Sequence, residues 1–309
     1  MKKVTKKPGQ FSFPRYLESK KTVDDRALNH RVWASFAEAL SRIDPIRVVE
    51  VGAGTGTMLE RLLKAGFFRE AHYTGLDSNP EVIEYARDRL PGWARSQGFR
   101  VKQTSPGCFL LDKYPQAITV EFNMADVLDH VEKQENRRSC DLLVAHAFLD
   151  LIDIPRSLPG LFHLLEPEGL FYFTINYDGV TILEPTITVD LDRQILDLYN
   201  QSMDNRLING LPSGDSLVGR RLFKNIREAR GEILSAGSSD WVVFAGENGY
   251  PEDEAYFLHF IIHTLYNALK NHPDLNLPAF ENWISTRHAQ IEDLKLVYIA
   301  HQIDFFGKI

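Results

Sequence analysis

The sequence predicts an α/β chain in which a mixed sheet carries helices on both faces. Three observations carry that prediction. From Ile46 to Asn176, short apolar runs alternate with longer amphipathic ones, the order that strands crossing over through helices impose. The first run, "IRVVEV" (46–51), flows into glycine at every second position, Gly52, Gly54 and Gly56, as a strand-to-helix turn requires. Beyond the turn, Met58, Leu59, Leu62, Leu63 and Phe67 recur at helical spacing.

Ahead of this core, "VDDRALNHRVWASFAEAL" (23–40) reads as one or two amphipathic helices, with Asp24 or Asp25 as the N-cap. The strands are expected at 46–51, 72–77, 117–123, 140–148 and 169–176. After Asn176 the pattern loosens: a helix around 190–205 lies between flanks marked by Pro185, Gly210, Pro212 and Gly214, as in an insertion over the sheet. A helix (218–230), a strand (232–244), a long aromatic helix (252–270) and a final strand (295–306) complete the chain. The domain reading is a tail and helical cap over 1–44, then one domain over 45–309 with lid insertions near 177–215 and 245–292.

Composition narrows the class of function. The 309 residues carry a net charge of -7, which repels a polyphosphate backbone and argues against nucleic acid as a partner. The basic cluster Lys2, Lys3, Lys6 and Lys7 lacks hydrophobic periodicity and reads as a solvated tail. Cys108 and Cys140 have no spacing that marks a metal site or a disulfide framework. No apolar stretch suits a membrane span or an export signal, so a reducing, cytoplasmic setting is expected. Oligomeric state is not legible.

The glycine loop is the first functional signal. Its spacing is G-x-G-x-G, with Thr57 where a dinucleotide fingerprint carries its third glycine, and no Lys-Ser/Thr pair follows as in a phosphate-cradling loop. Asp77 ends the second strand, 21 positions beyond Gly56, where a carboxylate can accept hydrogen bonds from both ribose hydroxyls of an adenosine. The plainer role for Asp77 is at the start of a helix opened by Pro80. Asp126, in "NMADVLD", ends the third strand where it can meet an adenine amino group, although acids after strands are also ordinary turn chemistry.

Taken in order, "VVEVGAGTGTMLERL", "YTGLDSNPEVIEYA", "EFNMADVLD" and "CDLLVAHAFLDLID" resemble the motifs of class I S-adenosylmethionine-dependent methyltransferases over residues 46–176. The resemblance implies a Rossmann-like fold with a seven-stranded mixed sheet whose last strand is antiparallel. It implies S-adenosyl-L-methionine as cofactor, with Glu50, Gly52, Ala53, Gly54 and Gly56 along its methionine and ribose side. By the same resemblance, Asp77 would hold the ribose hydroxyls, Ser78 would flank the adenine, Asp126 and Val127 would face its edge, and His146 and Ala147 would lie near the sulfonium. Other readings of the loop are a nicotinamide-dependent oxidoreductase and a non-catalytic adenosyl-binding regulator.

The acceptor side is less legible. The fourth strand runs into "AHAFLDLID" rather than the Asn/Asp-Pro-Pro-aromatic segment of amide and nucleobase methylases, which favours a small-molecule acceptor. For O-methylation a base must take a proton, and His146, His259 and His263 are the candidates by type. His259 and His263 stand one helical turn apart, but Phe260 occupies the place of a zinc protease's glutamate, so no metal is expected. The aromatic helix around them reads either as core or as a pocket wall. His146, Asp150 and Asp153 after the fourth strand, with Asn176 and Tyr177 after the fifth, mark the rim where an acceptor would sit.

Overall fold

A computed structural model describes residues 11–208 and 210–309. The predicted basic tail, Lys2 to Lys7, lies outside the described residues. The chain opens with three short helices, α1 (Phe13–Ser19), α2 (Lys21–Ala27) and α3 (His30–Leu40). Asp24 and Asp25 are not caps, contrary to the sequence reading. Asn29 caps α3 by accepting from the backbone N–H groups of Arg31 and Val32, whereas Asp24 is buried inside α2. The predicted amphipathic stretch is thus broken at Leu28, and Asn29 supplies the acceptor that the first turn needs.

The core then runs β1 (Ile46–Val51), α4 (Thr57–Ala65), β2 (Glu70–Asp77), α5 (Pro80–Ser96), β3 (Arg100–Ser105), β4 (Cys108–Lys113), β5 (Gln116–Met124), α6 (Val127–Glu132), β6 (Cys140–His146), α7 (Ile154–Phe162) and β7 (Leu165–Glu184). It ends with α8 (Val189–Asp204), β8 (Leu207–Ile208), β9 (Leu211–Pro212), α9 (Val218–Glu228), β10 (Glu232–Ser238), β11 (Trp241–Val243), α10 (Glu254–Leu269), α11 (Leu277–Glu292) and β12 (Val297–Lys308). The sheet order is β10-β12-β7-β6-β1-β2-β5-β4-β3, with β11 also on β12.

Pairing is parallel from β5 through β2, β1 and β6 to β7, and antiparallel where β12 inserts between β7 and β10. Strand β1 lies mid-sheet with both faces covered, which explains its near-continuous apolar run in place of alternation. On one face α3, α4 and α5 close a core with Val48, Tyr73 and Tyr172; on the other α6, α7 and α9 close a second around Val51, Leu143 and Phe173.

The sheet has ten strands, not the expected seven. The hairpin β3–β4 extends the β5 edge, turning at "SPG" (105–107), where Gly107 takes a φ of +75°. The expected strand at 232–244 divides into β10 and β11, with Asp240 in the gap bonded to His301 of β12. Residues 177–184, read as the loose start of an insertion, continue β7 against Thr181↔Ala300 to Glu184↔Val297. A register shift between Ala300 and Gln302, beside Gly179 at φ +77°, absorbs the residues that looked turn-forming.

Candidate active site

The carboxyl ends of β1, β2, β5 and β6, with β7 level at Thr174 beside His146, lie on the edge of the sheet that carries the glycine loop. There Gly52 has φ +66° and Gly56 has φ +83°, both in the left-handed region. A Cβ on Gly52 would stand 2.2 Å from Phe148 Cδ2, and one on Gly56 would stand 2.8 Å from Phe122 Cζ, so space as well as conformation demands glycine at both. The loop is tied to β2 by Ala53 N–H donating to Leu76 O (2.9 Å) and Gly54 N–H donating to Asp77 Oδ2 (3.0 Å). Asp77 Oδ1 accepts from Asn79 N–H at 2.9 Å. Burial pushes the Asp77 carboxyl up against these bonds, and each of its oxygens keeps a lone pair for a further donor.

The other predicted positions fall around this clasp. Glu50 is buried and takes the hydroxyl of Tyr73; burial holds its carboxyl well above the usual range, so it is turned into the core. Ser78 is exposed beside Asp77. Asp126 is exposed and caps α6, accepting from Leu128 N–H at 2.7 Å, while Val127 is buried. The ends of β5 and β2 are stitched together by Ala125 N–H donating to Asp77 O (3.0 Å). Ala147 follows β6 at φ +50° and donates to Thr174 O at 2.8 Å. In the next strand Ile175, a β-branched residue, stands at φ +58°. Strained backbone just after β6 and midway along β7 persists only where the surroundings enforce it.

His146 is buried at the end of β6. Its Nε2 lies 3.0 Å from Asp24 Oδ2 and its Nδ1 lies 2.8 Å from Thr174 Oγ1. The tautomer that satisfies both has Nε2–H donating to Asp24 and Nδ1 accepting from the Thr174 hydroxyl. Burial lowers the imidazole to about 4 despite Asp24 beside it, so the ring is neutral at neutral pH. Asp24 also meets Lys20 Nζ (3.3 Å), Arg61 Nη2 (3.7 Å) and the indole N–H of Trp241 (2.8 Å). Burial opposes its charge, but Lys20, His146 and Arg61 together hold its carboxyl below the usual range. This buried network joins α2, α4, β6, β7 and β11.

His259 and His263 are held elsewhere. His259 Nδ1 is 2.8 Å from His288 Nδ1 on α11, and His263 bonds Asn267 and stacks on Phe11 at 4.3 Å. None of these bonds joins them to the loop or to His146. Phe257 and Phe260 of the same helix stack on Tyr16 of α1, so this helix packs against α1.

The sequence reading missed Asp24, Thr174 and Arg61 as partners of His146, and Lys20 and Trp241 as partners of Asp24. Arg61 carried one signal, a charge set directly before the apolar pair Leu62–Leu63 in a helix buried from Thr57 to Leu63. It also missed that α1 covers the loop, with Leu17 Cδ1 3.4 Å from where a Cβ on Gly54 would be. An open hollow of about 470 Å³ between the 152–155 turn and α9 lies outside this cluster, its Arg221 already paired with Asp215.

The parallel core strands, the antiparallel last strand and the glycine turn at the sheet's carboxyl edge make a Rossmann-like α/β domain. Residues 49–171 match the family model described as a methyltransferase domain. Trans-aconitate 2-methyltransferase of Rhodopseudomonas palustris (strain BisA53) is 36% identical over 84 residues, covering 26% of this chain and 29% of that protein; the chain thus matches less than a third of that relative's length. Among solved structures, the YcgJ protein of Bacillus subtilis is similar at a TM-score of 0.48 and 12% identity, covering 91% of this chain and 98% of that one. The geranyl diphosphate C-methyltransferase of Streptomyces coelicolor is similar at 0.42 and 9% identity, covering 100% and 89%. At these scores the structural likenesses are too remote to bear on the site.

Proposed function

We propose that this protein is an S-adenosylmethionine-dependent methyltransferase acting on a small molecule, by in-line transfer to nitrogen or oxygen. The observation that carries the reading is the clasp of Asp77 on Gly54 N–H, at the two strand ends where an adenosyl group would lie. The loop suits such a group: the side of Gly54 meets only Leu17 Cδ1, 3.4 Å from where a Cβ would stand, and the Thr55 hydroxyl is buried there without a partner among the described residues. In this reading Gly52, Ala53, Gly54 and Gly56 face the methionine and ribose, Asp77 the ribose hydroxyls, Ser78 and Val127 the adenine, and Asp126 its amino group.

The sulfonium supplies an activated methyl group, so the protein's own work is to place the acceptor lone pair in line and exclude water. Ala147 and Phe148, after β6, stand where they would narrow the approach. The bonds of His146 fit a ring that fixes this strand end rather than one that moves a proton. An acceptor arriving as a neutral amine needs no base from the protein, and that case agrees best with three histidines already committed to other partners.

Calorimetry tests the reading. S-adenosylhomocysteine is expected to bind, and Asp77→Ala is expected to weaken it by at least about tenfold, roughly the worth of one charged hydrogen-bonding group. If neither it nor S-adenosylmethionine binds, the reading fails; tight binding of NADH instead would favour an oxidoreductase. Binding without any methyl transfer across a metabolite panel would mark a regulator.

A further inference from the structure

We propose that His259 and His288 bind one divalent transition-metal ion, of the zinc or copper kind, that clips α10 to α11. The site is separate from the glycine loop and from His146, and it stands or falls independently of the proposed function.

The sequence offered His259 and His263 no further metal-binding partner, and the fold brings one from α11. His259 Nδ1 and His288 Nδ1 face each other at 2.8 Å, with ring centroids 5.0 Å apart and 25° between the planes. Both rings are half-buried. One Nδ1–H donates to the other Nδ1, so a single change of tautomer leaves two lone pairs aimed at a common point. An ion that bonds two nitrogens at about 2.0–2.1 Å, with about 90–110° between the bonds, sets them about 2.9–3.4 Å apart. From 2.8 Å the pair has to open by no more than about 0.6 Å.

The two helices hold the rings in place. On α10, Leu258 and Ile262 are buried on either side of His259. On α11, Arg287 is buried next to His288 and gives its guanidinium to Asp192 Oδ1 at 2.7 Å and to Pro185 O at 2.8 Å. Ligands on packed helices keep their aim better than ligands on loops. Among the described residues, no set of three histidine, cysteine or acidic side chains is arranged to hold an ion unaided, so water completes the shell around the two imidazoles. The helical repeat sets His263 one turn from His259 and Glu292 one turn from His288, each on its partner's face.

Two imidazole donors discriminate among cations. They suit zinc, copper and nickel, whereas magnesium and calcium take oxygen ligands. With Phe260 in place of a hydrolytic glutamate, the ion's part is to join the helices. Phe257 and Phe260 stack on Tyr16, so the clip steadies the helix pair on which α1 rests.

Calorimetry at neutral pH on untagged, chelator-treated protein tests this with zinc, copper, magnesium and calcium ions. Zinc and copper are expected to bind at one ion per chain, copper the more tightly, and magnesium and calcium not to bind. His259→Ala and His288→Ala are each expected to weaken zinc at least tenfold. His272→Ala, in the loop after α10, is expected to bind zinc as the unaltered protein does. Circular dichroism checks that the variants fold, and His259→Gln and His288→Gln, which keep a polar group between the helices, should lose zinc equally. Electron paramagnetic resonance of the copper form should show coupling to two nitrogens. The inference is overturned if neither zinc nor copper binds, if magnesium binds as well as zinc, or if fewer than two nitrogens couple to copper. A folded variant of His259 or His288 that binds zinc undiminished, or loss of binding in His272→Ala, would overturn it equally.

Discussion

Gly52 is where sequence and site coincide most closely. Its φ of +66° and the 2.2 Å approach to Phe148 forbid a side chain twice over, and the obstacle includes Phe148 Cβ at 2.9 Å, which cannot swing aside. Gly52→Ala is therefore expected to destabilise the fold by about 2 kcal/mol, combining left-handed strain with a displaced neighbour. Urea unfolding would measure it, and a variant as stable as the parent would refute the geometry. The loop and Asp77 could be found from the sequence because they are local: spacing and turn chemistry fix them within a few residues. Asp24 could not. Its carboxylate looked like a cap because Asp before a helix usually is one, and only partners 37 and 122 positions away, Arg61 and His146, make it an interior charge.

At the scale of elements, β7 and β12 carry what the sequence concealed. The last eight residues of β7 contain Asp178 and Gly179 and lack a clear period, yet β12 supplies a full set of partners, and pairing overrides local preference. The same pair holds the strained residue midway along β7. Asp304 of β12 accepts from Ile175 N–H and from Asn29 N–H, each at 2.8 Å, and burial raises its carboxyl to about 6. Asp304→Ala strands two donors, one of them buried on a left-handed β-branched residue. A loss of roughly 3 kcal/mol is expected, at 1–3 kcal/mol for each unpaired group. Denaturation by urea checks the loss, and an unchanged midpoint would show that Ile175 holds its conformation unaided. By contrast, β1 and β6 were legible as strands because burial on both faces writes an apolar run into the sequence, and β2 and β5 because burial of alternate residues writes a period of two.

For the molecule as a whole, acid is the telling variable. Unfolded His146 takes a proton near 6.5, whereas the folded ring resists until about 4. Protons therefore favour the unfolded chain between those values: this contribution to stability is complete above about pH 6.5 and is lost as the pH falls toward 4. At 1.4 kcal/mol per pKa unit the loss is about 3 kcal/mol. His146→Gln should flatten the profile in that window while lowering stability at pH 7, and thermal melts from pH 4 to 7.5 would show it. A slope unchanged by the substitution would place the proton elsewhere.

The bonds that seat the N-terminal helices also have a temporal meaning. Ser12 with Tyr256, Asp24 with Trp241 and Asn29 with Asp304 join residues 244, 217 and 275 positions apart. Contacts of such separation are the slowest to be made, and during synthesis their partners emerge last. The helices that cover the glycine loop are the first part of the described chain to leave the ribosome, and they must wait for the final strand before they can settle. The cleft is thus completed at the end of folding, and a nascent chain halted before β12 would hold the glycine turn without the roof above it.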